Sequence, residues 1–98
     1  MSGILLDDMT LSAELAKLDR WALVTPEATP VLTTERRFDD FAAAIAFVNR
    51  VADIAEDLNH HPDITISYDR VGLQISSHEQ GGVTDLCVTL AERVDQLG

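Results

Sequence analysis

Residues 39–76 carry the most regular pattern in this chain: DDFAAAIAFVNRVADIAEDLNHHPDITISYDRVGLQIS. Over residues 39–59 the apolar side chains recur with the period of an α-helix and form one wide apolar stripe. Asp39 or Asp40 suits the first turn, where the helix dipole favours a negative charge, and Asn59 suits the end. The pattern therefore predicts a helix that packs one side against a core.

From residue 64 the apolar period changes from 3.6 to two, which is typical of strands with one apolar and one polar face. Two such strands, 64–68 and 71–75, flank the polar pair Asp69 and Arg70. We therefore predict a β-hairpin that turns at these two residues. The turn position fixes the register, and with it the residues that lie opposite each other beyond the strand ends.

The rest of the chain supplies shorter elements on both sides of this stretch. Residues 10–20 have helical spacing, and residues 21–24 and 31–38 are strand-like runs separated by a turn that contains proline. A last helix is predicted to begin at Thr84, which can cap it. The order helix-strand-strand-helix-strand-strand-helix predicts one α+β domain, residues 1–98, with a four-stranded antiparallel sheet and helices packed on one face.

Composition excludes several classes of protein. Lys and Arg total 7 against 17 Asp and Glu, a net charge of -10, so we expect no binding to nucleic acid. No apolar run approaches the roughly 18 residues of a membrane span, and we expect no membrane association. A single cysteine rules out an internal disulfide framework. The start of the chain lacks the features of a signal peptide, so we expect a cytoplasmic protein.

The candidate catalytic side chains are three histidines, His60, His61 and His78, and one carboxylate, Glu56. Glu56 and His60 are four residues apart on the predicted helix and should be neighbours. The predicted hairpin register, continued outward, places His61 opposite His78, with Cβ atoms about 5 Å apart. Imidazoles exchange protons near neutral pH, so these residues form a candidate acid–base site. The alternative is that the histidines merely cap a turn and face solvent.

A zinc site and a reactive cysteine are two further candidate functions. Three histidines with Glu56 could bind zinc, but the paired spacing of a metalloprotease helix is absent and adjacent histidines point in different directions. We therefore predict no metal site. Cys87 lies in the first turn of the last helix, where a thiol can become reactive. Nothing in the sequence places a histidine beside it, so we predict a buried structural cysteine.

The sequence resembles the pterin-4a-carbinolamine dehydratases over roughly residues 10–97. The matching residues are Glu56-x-x-x-His60-His61-Pro62, then Tyr68 and His78, then Gly81-Gly82-Val83-Thr84. Further upstream they are Trp21 and Arg37-Phe38-x-x-Phe41-x-x-x-Ile45-x-Phe47-Val48. A pattern of this length is far more specific than any single pair of residues.

The resemblance implies the same four-stranded fold and removal of water from a 4a-hydroxytetrahydropterin, which gives the quinonoid dihydropterin and recycles the cofactor of aromatic amino acid hydroxylases. It implies no metal and no cofactor. Catalysis would fall to His60, His61, His78 and Glu56. In this scheme His60 and His78 donate protons to the departing hydroxyl, His61 orients the pterin, and Glu56 polarises His60.

Substrate binding is predicted at His61, Pro62, Ser77 and His78. One position departs from the family pattern: Cys87 stands where an aspartate is usual. The alternative function is therefore a catalytically weak member that acts as a protein-binding or dimerisation module. In either case we expect a homodimer or homotetramer, because so small a core gives a reason to associate.

Overall fold

The computed structural model describes residues 3–97 and has the predicted order of elements. The helices are α1 (Asp8–Leu15), α2 (Phe41–Leu58) and α3 (Asp85–Asp95); the strands are β1 (Ala22–Val24), β2 (Val31–Arg37), β3 (Asp63–Ser67) and β4 (Arg70–Ile75). A short 3-10 turn, Pro26–Ala28, joins β1 to β2. The predicted α+β class is therefore confirmed.

The four strands form one antiparallel sheet in the order β1-β2-β4-β3. One face carries Leu32, Leu73 and Ile75, which are fully buried. These side chains share a core with Val51 of α2 and Leu90 of α3, so the helices cover this face. On the other face, alternate strand positions hold exposed polar residues, as the period of two predicts.

Local hydrogen bonds explain where the helices begin and end. Asp40 caps α2 by accepting from the backbone N–H of Ala43 at 2.8 Å, and Asn59 ends the helix in the left-handed conformation, with φ 51°. Both boundaries agree with the sequence pattern. The helix predicted at 10–20 instead spans Asp8–Leu15, so it begins and ends earlier, and Asp7 caps it by accepting from the backbone N–H of Thr10. Within residues 3–97, no helix is long and apolar enough to cross a membrane.

The hairpin turns at a different place from the predicted one. Ser67 pairs with Arg70 and Ile66 with Val71, so the two turn residues are Tyr68 and Asp69. Tyr68 takes a positive φ of 54°, which lets the chain reverse one position earlier than the sequence suggested. The register therefore differs by two residues from the prediction. Because two is an even number, each side chain keeps the face that alternation assigned to it.

Candidate functional site

Two adjacent histidines follow the end of α2, and one is buried whereas the other is exposed. Because Asn59 leaves the helical conformation, the helix does not continue to position 60. His60 turns inward and is only 7% exposed, whereas His61 remains on the surface. The backbone N–H of His60 donates to the carbonyl of Ala55 and anchors this turn.

His61, not His60, is the partner of Glu56. The imidazole Nε2–H of His61 donates to Oε2 of Glu56 at 2.5 Å, and both side chains are more than half exposed. The predicted Glu56–His60 pair is therefore wrong. Its i, i+4 argument needs both residues inside one helix, and α2 ends two residues before His60.

His60 lies beside the sulfur of Cys87. Its Nε2 is 3.2 Å from Sγ of Cys87, in a buried contact that joins the end of α2 to the first turn of α3. Burial lowers the pKa of His60, and the charge of His61 lowers it further, against a smaller raising effect of Asp85. Cys87 is fully buried, as predicted, but sequence reasoning missed its histidine neighbour.

The contact between His60 and Cys87 continues to a third buried residue. The hydroxyl of Thr84 donates to Sγ of Cys87 at 3.4 Å while it caps α3 by accepting from the backbone N–H of Cys87. Burial raises the pKa of the Cys87 thiol, so the sulfur keeps its proton. The S–H can then donate to Nε2 of a neutral His60, which leaves the imidazole proton on Nδ1.

Asp85, two positions before Cys87, binds backbone N–H groups with its carboxylate. Its Oδ1 accepts from the backbone N–H of Ile4 at 2.7 Å and from that of Leu86 at 2.9 Å. It therefore holds the N-terminal segment against the start of α3. The only residue of α3 that contacts the imidazole of His60 by a hydrogen bond in the described structure is Cys87.

His78 projects from a tight turn that follows β4. Ser77, predicted to bind substrate, is buried, and its hydroxyl accepts from the backbone N–H of Gln80 at 3.1 Å. Its backbone pairs with Gly82, while Gly81 takes the positive φ of 78° that the turn requires. Ser77 therefore shapes the turn, and His78 at its start is exposed.

A cavity of about 350 Å³ opens beside His78 on the uncovered face of the sheet. Its other polar walls come from Asp63, Gln74 and Ser76, and the 3-10 turn closes one side. Sequence reasoning did not select these three polar residues. Their positions in the sequence could have identified them, because they alternate with the buried strand residues and therefore share the polar face.

The structure places the four predicted catalytic residues at three separate points. His61 pairs with Glu56 and His60 with Cys87; His78 lines the cavity. The observed register, extended by two positions, puts His61 opposite Ser76 and not opposite His78, so the predicted juxtaposition is wrong. Pro62, half-buried, leads from His61 into β3. In residues 3–97 no cluster of three or more His, Cys, Asp or Glu side chains is arranged to hold a metal ion.

Comparison with known proteins identifies relatives over nearly the whole chain. The family model described as pterin 4 alpha carbinolamine dehydratase matches residues 5–97. A protein of Thermomicrobium roseum, provisionally named pterin-4-alpha-carbinolamine dehydratase, is 41% identical over 92 residues, which are 94% of this chain and 95% of that protein.

Two solved structures share the fold. The crystal structure of a transcriptional coactivator/pterin dehydratase from Brucella melitensis superposes with a TM-score of 0.86 at 30% identity and covers 94% of this chain and 96% of its own. A pterin dehydratase-like protein identified as a RuBisCO assembly factor in the alpha-carboxysome gives a TM-score of 0.65 at 24% identity, covering 79% and 87%. The second likeness concerns the fold alone.

Proposed function

The chain belongs to the pterin-4a-carbinolamine dehydratase family, and we propose that it removes water from a 4a-hydroxytetrahydropterin. The product is the quinonoid dihydropterin, and its formation is a step in recycling the cofactor of aromatic amino acid hydroxylases. The observation that carries this proposal is the exposed His61–Glu56 pair, together with the cavity that His78 lines.

The reaction needs acid–base groups and little else. As the bond between C4a and the hydroxyl oxygen breaks, that oxygen must receive a proton so that water leaves instead of hydroxide. The neighbouring ring nitrogen must give up a proton. Histidine changes charge near neutrality and can serve in either direction, and a positioned acid or base contributes about 10²–10⁴-fold in rate.

The roles of the histidines follow from their surroundings. His61 is accessible, and its ring N–H has the carboxylate of Glu56 as its acceptor, so we assign it proton transfer. His78 is accessible at the cavity and takes the second proton-transfer or binding role. His60 is buried and held neutral, so we assign it a positioning role and not the proton donation that the resemblance implied.

The cavity supports a pterin-sized ligand. Its volume of about 350 Å³ lies at the small end of ligand sites, and a bicyclic ring needs no more. Gln74 and Ser76 offer side chains that can donate and accept hydrogen bonds, and Asp63 offers an acceptor. These groups match the amide and amino edges of a pterin ring.

The test is the decay of 4a-hydroxytetrahydropterin, generated by an aromatic amino acid hydroxylase, with and without this protein at low concentration. We expect acceleration that scales with protein concentration. The double variant His61→Ala/His78→Ala should abolish it while circular dichroism stays unchanged. Equal acceleration by the folded double variant would refute the proposed site.

A second function, protein binding without turnover, is favoured by Cys87. A thiol replaces the carboxylate of the family pattern beside His60, so a proton-transfer partner is lost. Exposed apolar side chains such as Phe41, Ile66 and Tyr68 offer surface for a partner or for a second copy of the chain. Pterin binding in a spectroscopic titration without accelerated decay would support this function and exclude the first.

The predicted homodimer or homotetramer and the cytoplasmic location remain predictions. Sedimentation equilibrium measures the first directly: a mass near 10.7 kDa would contradict self-association. Fractionation of the cells that make the protein tests the second.

A further inference from the structure

A second cavity, of about 250 Å³, lies at the other end of the sheet from His78. The first cavity includes Val31, where β2 begins; the second includes Arg36 and Arg37, where β2 ends. Its remaining walls come mainly from α2, including Phe47 and Arg50. The two cavities are therefore separate, and the second has no part in the proposed dehydration.

Positive charge is concentrated in this second cavity. Four arginines line it, Arg20, Arg36, Arg37 and Arg50, although the entire chain has only 7 lysines and arginines against 17 acidic residues. Among the described residues that line it there is no aspartate or glutamate. Like charges brought together repel one another unless an anion lies between them, so the arrangement favours a negatively charged ligand.

Several contacts hold the guanidinium group of Arg36, one of the four arginines, in place. Its side chain is 4% exposed, and its Nε donates to the hydroxyl of Thr34 at 3.1 Å. Its Nη2 donates to Oδ1 of Asp95 at 2.6 Å, and the guanidinium lies 5.7 Å from the centre of the Trp21 ring. These contacts hold the guanidinium in one orientation before any ligand binds.

The third nitrogen of Arg36 has no such partner. Within residues 3–97, Nη1 is the single buried side-chain nitrogen or oxygen atom without a hydrogen bond. A buried donor left unpaired is unfavourable, so a folded protein seldom keeps one. An acceptor supplied by a ligand would satisfy it, and Arg36 lines the cavity where such a ligand would lie.

The apolar wall of the cavity defines the rest of the ligand. Phe38 and Phe47 pack with ring centres 4.9 Å apart, and both line the cavity. We propose that this cavity binds a small organic oxyanion, a carboxylate or a phosphate monoester, whose compact apolar body contacts these rings. The guanidinium groups bind its oxygens, since arginine pairs well with both kinds of anion.

The experiment measures binding of three probes by isothermal titration calorimetry at low ionic strength: phenyl phosphate, benzoate and inorganic phosphate. We expect saturable binding of at least one aromatic anion, tighter than that of inorganic phosphate. The comparison of phenyl phosphate with benzoate identifies which oxyanion the site prefers. Benzyl alcohol, which has the ring but no charge, should not bind measurably.

Two variants locate the site. Arg37→Gln/Arg50→Gln removes two exposed cavity arginines and leaves buried Arg36 in place, so the fold should be retained. We expect affinity to fall about 10-fold or more. Lys17→Gln/Arg93→Gln is the matched control, because it also removes two positive charges and neither residue lines the cavity.

The outcome is independent of pterin turnover. Dehydration by Arg37→Gln/Arg50→Gln should equal that of the unmodified protein, because neither arginine belongs to the proposed active site. Absence of saturable binding by all three probes would overturn the inference. The same conclusion follows if Lys17→Gln/Arg93→Gln weakens binding as much as the cavity variant does, since general attraction to positive charge would then explain it.

Discussion

His60 and His61 are neighbours in the chain and opposites in environment. His61 is exposed and bound to the carboxylate of Glu56; His60 is buried and bound to the thiol of Cys87. Burial lowers the pKa of His60 and favours its neutral imidazole, whereas the ring N–H of the exposed His61 has a carboxylate acceptor. We therefore propose that these two identical side chains, one residue apart, divide proton transfer and positioning between them.

The largest expected effect is on the rate of dehydration by His61→Ala. Loss of a positioned acid–base group should reduce the rate about 10²-fold or more, with no change in the urea midpoint, because His61 is exposed. His60→Ala should instead destabilise the protein and lower the free energy of unfolding by about 2–4 kcal/mol, since it opens a buried space. If the two variants lose rate and stability alike, the division of tasks is wrong.

A smaller effect is expected from Cys87→Asp. The carboxylate would lie beside His60 and raise its pKa, because a negative charge favours the imidazolium. We expect the dehydration rate to rise several-fold, up to about 10-fold, with a parallel rise in the pKa of His60 in an NMR titration. Cys87→Ser, which adds no charge, is the control. An unchanged rate in the aspartate variant, despite the raised pKa, would show that the neutral state of His60 is not what excludes it from proton transfer.

Glu56→Gln should have a weaker effect than loss of His61 itself. The amide keeps a hydrogen-bond acceptor but removes the negative charge next to the imidazole. We expect a decrease in rate of about 3–10-fold, measured in the same decay assay. Asp53→Asn changes an exposed carboxylate on the same helix and should leave the rate unaltered. A rate for Glu56→Gln equal to that of the Asp53 variant would remove Glu56 from the site.

The smallest effect concerns stability in acid. The pKa of His60 is below its ordinary value of 6.5, so the unfolded chain takes up a proton before the folded one does. Its contribution to stability is complete above pH 6.5 and is lost as the pH falls from there through the lowered pKa. Urea midpoints measured from pH 7.5 to 5 should show this decrease, and His60→Gln should reduce it. An identical slope in His60→Gln would assign the decrease to other groups.

The sequence alone determined the class of fold because that class depends on local periodicity. The stripe of apolar residues in α2 and the alternation in β4 each report which side of an element faces the core. Asp40, Asn59 and Thr84 mark helix ends through bonds to residues within five positions, so their roles could also be predicted.

The hairpin register lay at the limit of what could be predicted. Both candidate turns contain two residues and keep the same faces, so alternation cannot separate them. The choice depends on the positive φ of Tyr68, a conformation that the residue type does not suggest. The same two-residue shift in register applies beyond the strand ends, so the predicted partner of His61 was wrong.

The group that each histidine contacts depends on how distant elements pack together. The His60–Cys87 contact spans 27 residues and exists because α2 and α3 pack on the same side of the sheet. The arginine cavity likewise gathers residues from four parts of the chain. The sequence determined which chemical groups are available; packing determined which lie within hydrogen-bonding distance, because that depends on how separate elements meet.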